Sequence, residues 1–155
     1  MRSTLARRAV LAAVGVGSTV AALTIAANPA SAVDGWTEAT LYSSNGGGAH
    51  VKAYVNWTSS SHEVNWTNIY VNDFCNSAGN GDGLTARLEF MVHYVGSSSW
   101  VTVGSREDTG GCTSAAYTES SAHWGPTNAA INDAGIRACL GSSCSSISYR
   151  DDPNV

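Results

Sequence analysis

Apolar and polar residues alternate along several short runs of this chain. In one run Ala49, Val51, Ala53, Val55 and Trp57 fall on one face, and His50, Lys52, Tyr54 and Asn56 on the other. The clearest run is Leu84–Tyr94, where Leu84, Ala86, Leu88, Phe90, Val92 and Tyr94 alternate with Thr85, Arg87, Glu89, Met91 and His93. A period of two sustained over that length predicts a strand with one buried face. Glu63–Phe74 is aromatic and β-branched, but its phase slips between Trp66 and Ile69. A bulge there would bring both apolar sets to one face. Shorter runs predict strands at Thr37–Ser43, Trp100–Val103 and Ala115–Thr118, and a closing hairpin at Ile136–Leu140 and Ser145–Tyr149. Pro126–Ala134 reads as one helical turn, since proline suits a first helical position.

Turn residues punctuate these runs. Asn45-Gly46-Gly47-Gly48, Asn76–Gly83, Gly110-Gly111 and Gly141-Ser142-Ser143 all tolerate positive φ. Short strands at such spacing, with no long helical period, predict an all-β domain: a single antiparallel β-sandwich, or a barrel-like variant.

The first 32 residues break this pattern. Arg2, Arg7 and Arg8 precede an apolar stretch from Ala9 to Ala27, and Asn28-Pro29-Ala30-Ser31-Ala32 follows. A basic start, an apolar middle and a small-x-small end predict a signal peptide over 1–32, cleaved after Ala32, and a secreted β domain over 33–155. Arg7-Arg8 suits a twin-arginine signal or an ordinary secretory one, and both routes stay open. After the signal, Lys52, Arg87, Arg106, Arg137 and Arg150 stand against twelve acids. That balance argues against nucleic acid and anionic membrane surfaces as partners, because both require basic patches.

All four cysteines follow the signal, and an even set outside the cell is read as disulfides. Four cysteines allow three pairings. We favour Cys75–Cys112, which joins two loop edges, and Cys139–Cys144, which closes a short turn between two strand-like runs. No close Cys-x-x-Cys pair with matching histidines occurs, so no metal and no cofactor is expected from them.

Candidate chemistry is sparse. His50 and His93 sit on the polar faces of two strands, where facing strands would bring them together, with Glu89 alongside. His62 and His123 read as surface residues. No Gly-x-Ser-x-Gly elbow and no His-Glu-x-x-His motif occurs. Glu107-Asp108 and Asp151-Asp152 are adjacent acids, which on a strand point to opposite faces and do not form a glycosidase pair. Asp73, Asn80 and Asp82 lie among glycines and offer oxygen ligands at short intervals, a calcium-loop alternative to a plain turn. Asn56-Trp57-Thr58 and Asn65-Trp66-Thr67 match the glycosylation sequon. Of the five tryptophans most are expected in the core. Trp66 and Tyr70, four apart, would share a face if no bulge intervened, and are the candidates for stacking on sugar rings.

The segments VNDFCNSAGNGDGLTARLEF, REDTGGC and IRACLGSSCSSISYRDDP resemble small secreted proteins of Streptomyces and related actinomycetes, a largely uncharacterised group. The resemblance covers most of the chain after the signal. It implies secretion and a disulfide-linked β fold, and it supplies no catalytic residues.

Together these readings point to a non-catalytic extracellular protein, surface-associated or ligand-binding. A carbohydrate-binding module using exposed aromatics, with polysaccharide or a cell-surface component as partner, is the first alternative. A secreted protease inhibitor on a disulfide scaffold is the second, and a hydrolase comes last.

Overall fold

The alternating runs become strands in the computed structural model, which describes residues 34–155. In chain order they are β1 (Gly35–Tyr42), β2 (Gly48–Trp57), β3 (Val64–Phe74), β4 (Ala86–Tyr94), β5 (Trp100–Asp108), β6 (Tyr117–Trp124), β7 (Ile131–Leu140), β8 (Ser143–Cys144) and β9 (Ser148–Asp151). The signal-peptide reading of residues 1–32 lies outside the described residues.

Every strand pair is antiparallel. The first sheet has the order β1-β2-β3-β6, and the second β5-β4-β7, with β8 and β9 both pairing β7. Inner faces of the two sheets form one core. Val51, Val55, Trp66 and Val71 from the first sheet belong to the same buried cluster as Leu88, Phe90, Val92 and Ile136 from the second. Trp66 packs on Phe90 with ring centroids 4.8 Å apart. Full burial of each large aliphatic or Phe side chain contributes roughly 1.5–3 kcal/mol, so this cluster is the main source of stability.

The phase slip in β3 is a bulge. Lys52 pairs with Tyr70, but Tyr54 pairs with Thr67, so β3 carries one extra residue opposite Ala53. Asn68 absorbs it with φ 52°, a conformation that asparagine tolerates better than most residues. The result is that Trp66, Ile69 and Val71 all face the core.

Both lateral edges of the sandwich are tied. At one edge Arg106 of β5 makes an ion pair with Glu119 of β6, and its guanidinium lies over the Phe90 ring, 5.6 Å from the centroid. At the other, Arg150 Nη2 donates to Trp36 O at 2.7 Å, and Glu38 N donates to Ser148 Oγ at 3.2 Å. These contacts cover the edges of β6, β5, β1 and β9, which would otherwise offer free backbone groups. The disulfides are Cys75–Cys112 and Cys139–Cys144, as paired from the sequence. By loop entropy the first contributes about 4 kcal/mol and the second about 2 kcal/mol. Two disulfides fit an oxidising, extracellular environment.

Several boundaries differ from the sequence reading. Leu84 lies outside β4 and is 44% exposed, so the buried row starts at Ala86. β5 runs on to Asp108, because pairing with β4 extends to Ala86. Segment Pro126–Ala134 is not helical: Thr127 N donates to His62 O at 3.1 Å and Ile131 N to Ser61 O at 2.7 Å. The Ile131 N–H thus serves the 60–62 loop, where a helix would need it internally. The closing hairpin is split, since Ser145 N and Oγ bond to Ala138 before the chain rejoins β7 as β9.

Candidate functional site

The two sheets have very different outer faces. On the first, strand alternation sends Trp36, Glu38, Thr40 and Tyr42 of β1 outward, with His50, Lys52 and Tyr54 of β2 beside them. Tyr70, Asn72 and Phe74 continue the face on β3, and Thr118 lies opposite Tyr70 on β6. A cleft of about 570 Å³, open to solvent, runs over this surface and is lined by Trp36, His50, Lys52, Asn68, Tyr70, Thr118, Glu119 and Ser120, with Ile69 among them. A second concavity adjoins it through His50 and reaches Tyr42 and Phe74. From Trp36 to Tyr42 the surface extends about 20 Å, at roughly 3.4 Å per strand residue.

Aromatic rings set the relief of this groove. Trp36 meets Tyr54 edge-on at 5.6 Å, Tyr42 meets Phe74 at 5.5 Å, and His50 meets Tyr70 at 5.8 Å. Gly48 makes the Phe74 position possible, because a Cβ there would stand 2.8 Å from its ring and 2.2 Å from Leu41 O. Trp36 is 51% exposed and Tyr42 70% exposed, so large apolar faces meet water. The bulge at Asn68 places an exposed amide beside Tyr70, between β3 and β6.

One charged knot sits among these rings. Glu38 Oε1 lies 2.6 Å from His50 Nε2 and 3.3 Å from Lys52 Nζ. The hydrogen bond from His50, aided by Lys52, holds the Glu38 carboxyl below the usual carboxylate range against the opposing effect of desolvation. The knot fixes His50 and Lys52 in the groove, where the Lys52 ammonium keeps donors for a ligand and the His50 ring presents its remaining nitrogen.

On the second sheet's outer face the polar row is closed by its own partners, although Tyr149 there is 51% exposed. Glu89 is clamped by Arg137 Nη2 at 2.7 Å and Arg87 Nη2 at 2.9 Å, and Thr102 Oγ1 also donates to it. Burial pushes the Glu89 carboxyl up, but Arg137 and Arg87 outweigh it and hold it below its ordinary value. His93 Nδ1 meets Asp133 Oδ2 at 2.8 Å, and its Nε2 meets Ser97 O at 2.7 Å. Both ring nitrogens therefore donate to oxygen acceptors, and the Asp133 bond raises the His93 pKa above 6.5. A doubly donating imidazolium has no lone pair for base work. His93 instead latches the Gly96–Ser97 turn, with the Trp100 ring tilted against it at 5.4 Å and Tyr149 tilted against Trp100 at 5.3 Å.

Several residues singled out from the sequence are placed differently here. Trp66 is 1% exposed and belongs to the core, so it cannot stack on a sugar; the bulge turns it away from Tyr70, which does face the groove. His50 and His93 lie on outer faces of opposite sheets, so neither they nor His50 and Glu89 come together. Asn56 and Asn65 of the two sequons sit in strands, with Asn56 Nδ2 donating to Thr67 Oγ1 at 2.8 Å and Asn65 Oδ1 bonded to His123 Nδ1 at 2.8 Å. Each adjacent acid pair splits between a buried and an exposed member: Asp108 and Asp152 are buried, Glu107 and Asp151 exposed. In the calcium-loop reading Asp73 is buried and Asp82 half-buried, whereas Asn80 is exposed. The set Glu89, Cys139 and Cys144 brings three potential ligand atoms within 4.8 Å, but the cysteines are bonded to each other and Glu89 is held by two arginines.

Sequence reasoning counted Trp36 among tryptophans mostly expected in the core, yet it is 51% exposed, and it weighed Asp108 only beside Glu107. Trp36 opens the row Trp36, Glu38, Thr40, Tyr42, whose period of two ends in an aromatic at each side of a polar pair. That pattern is the available signal for an aromatic surface row. Compared with family models, curated proteins and solved structures, the chain matches none.

Proposed function

We propose that this protein is a secreted, non-catalytic binding domain that takes an extended polysaccharide along the outer face of its first sheet. The observation that carries this reading is the open groove floored by Trp36 and Tyr70. Exposed aromatic faces suit the apolar C–H faces of sugar rings, and the amphipathic rim suits their hydroxyls. Asn68, Thr118 and Ser120 line the same cleft with amide and hydroxyl groups that both donate and accept, and Lys52 adds donors. An uncharged glycan satisfies such a surface better than an anion would, because Glu38 and Glu119 contribute negative charge beside Lys52.

Catalysis is not part of this reading. His93, paired with Asp133, spends both nitrogens on structure and lies on the opposite face, and His50 in the groove is held by Glu38 at 2.6 Å with no nucleophile among its hydrogen-bond partners in the described residues. The test is retention of the secreted protein on insoluble polysaccharides, with Trp36→Ala and Tyr70→Ala compared with wild type. Retention should fall at least about tenfold in each variant, the loss of roughly one good aromatic contact. Wild-type retention on no glycan, or unchanged retention in both variants, would refute the assignment. Turnover of any glycan by the wild type would refute the non-catalytic part.

A further inference from the structure

At one end of the sandwich three aspartates approach each other beside the Cys75–Cys112 bridge. Asp73 is the penultimate residue of β3, Asp108 ends β5, and Asp82 lies in the loop that leads to β4. A cavity of about 290 Å³ is lined by Asp73, Asp108, Gly81, Gly83, Thr109 and Cys112, among others, while Asp82, between the two glycines, lines the neighbouring concavity. Among the described residues no Lys, Arg or His lines the cavity.

The hydrogen bonding of these carboxylates is incomplete. Asp108 is fixed in place, with Oδ2 accepting from Asp73 N and Oδ1 from Gly110 N, both at 3.1 Å. Asp82 Oδ1 accepts from Leu84 N at 2.8 Å, while its Oδ2 is buried without a partner. Asp73 is only 4% exposed, and its Oδ1 has neither solvent nor a donor. Desolvation, and then the charges of Asp82 and Asp108, push the Asp73 carboxyl above its ordinary value. A buried carboxylate without a donor is costly, and a second and third carboxylate nearby increase the cost. Sequence distance hides this arrangement, since Asp108 joins Asp73 across 35 residues.

We propose that this cavity is a calcium site in which Asp73 and Asp108 supply carboxylate ligands from two rigid strand ends and Asp82 supplies one from the loop. Hard oxygen donors without nitrogen or sulfur ligands suit Ca²⁺, and a ligand set partly on a glycine-rich loop, which does not impose octahedral geometry, suits it over Mg²⁺. The only three His, Cys, Asp or Glu ligand atoms within 4.8 Å of one another among the described residues are those of Glu89, Cys139 and Cys144. The three aspartates therefore stand wider than one coordination shell, and the ion draws the loop inward. Gly79 and Gly83, both at positive φ with open space around them, give that loop its freedom. The Cys75–Cys112 bridge ties this loop's start to the loop after Asp108, and Gly81 packs against Cys112 Sγ, so ion binding tightens the sandwich end.

The experiment is calorimetric titration of the secreted protein with CaCl₂ and MgCl₂, together with thermal melts in chelator and in about 10 mM of each salt, well above the affinity range of extracellular calcium modules. Calcium should bind with Kd of about 10⁻⁴–10⁻³ M and raise the melting temperature, with magnesium at least about tenfold weaker. Asp73→Asn and Asp108→Asn should each weaken calcium at least about tenfold, the loss of one charged ligand. Glu107→Gln, at the exposed neighbour, should change nothing. Asp73→Asn also removes the unpaired charge, so it should melt higher than wild type in chelator and lose the calcium increment. This keeps the test informative if Asp108→Asn fails to fold. No calcium heat and no melting shift in the wild type would overturn the proposal. So would equal affinity for magnesium, or an Asp73→Asn variant that binds calcium as the wild type does.

Discussion

The outer faces of the two sheets start from the same kind of sequence and end as different surfaces. β2 and β4 both alternate buried apolar residues with polar or charged ones. On β4 the outward row is answered from both sides: Glu89 by Arg137 and Arg87, and His93 by Asp133. Glu89 and Met91 are buried there although they point away from the core. On β2 the outward row is answered mostly by rings, and only Glu38 neutralises charge. The second sheet therefore spends its polar groups on itself, whereas the first leaves aromatic faces and hydrogen-bonding groups to a ligand. A polar row becomes a binding surface when its cross-strand neighbours do not satisfy it.

The sharpest way to break this comparison is to remove a tryptophan from each side of the first sheet. Trp66→Ala empties a core position and should cost about 3–5 kcal/mol. Trp36→Ala, on the groove side, should stay within about 0.5 kcal/mol. Urea melts measure both. A comparable loss in the two variants would make the aromatic row a structural layer, and no free surface would be left for a glycan.

A smaller contrast concerns the glutamates. Glu89→Ala leaves Arg87 and Arg137 facing each other without their shared anion, and should cost about 1–3 kcal/mol, toward the lower end because both arginines are partly solvated. Glu38→Ala removes a partner that is 54% exposed and should cost no more than about 1 kcal/mol. If Glu38 proved the more costly, the groove would be held by its charged knot and not by its rings.

The smallest contrast is in pH. His93 has its pKa raised by Asp133, while Asp133 also accepts from Asn132 Nδ2 and neighbours Asp151, whose own pKa rises through a hydrogen bond with Asp133 against the pull of Arg150. A raised histidine stabilises fully below its unfolded pKa near 6.5 and loses that contribution as pH rises through the folded value. Melting temperature should fall modestly from pH 6 to above 8, and Asp133→Asn should flatten that limb. Glu38 acts at the other end: its lowered pKa stabilises above about 4.5 and is lost as pH falls through the folded value. Glu38→Gln should therefore alter only the acid limb, and slightly, given its exposure. An unchanged alkaline limb in Asp133→Asn would remove the latch role of His93.

Much of this protein was readable along the chain, because strand alternation, turn residues and paired cysteines are local signals. Ala49–Trp57 and Ala86–Val92 declare their buried faces through a period of two, and the slip between Trp66 and Ile69 declares a bulge. The two disulfides followed from which cysteines sit at loop edges. Tertiary structure alone decided what each polar face meets. The bulge at Asn68 settled that Trp66 turns inward and Tyr70 outward, since one extra residue reverses the parity of all that follows. Register between distant strands placed Arg137 on Glu89 and Asp133 on His93, yet left Trp36 and Tyr70 to solvent. Folding also brought Asp108 beside Asp73, with two carboxylate oxygens nearby left unpaired. Alternation fixes the side of a strand on which a residue lies, while the neighbours that satisfy it come from pairings that no local window contains.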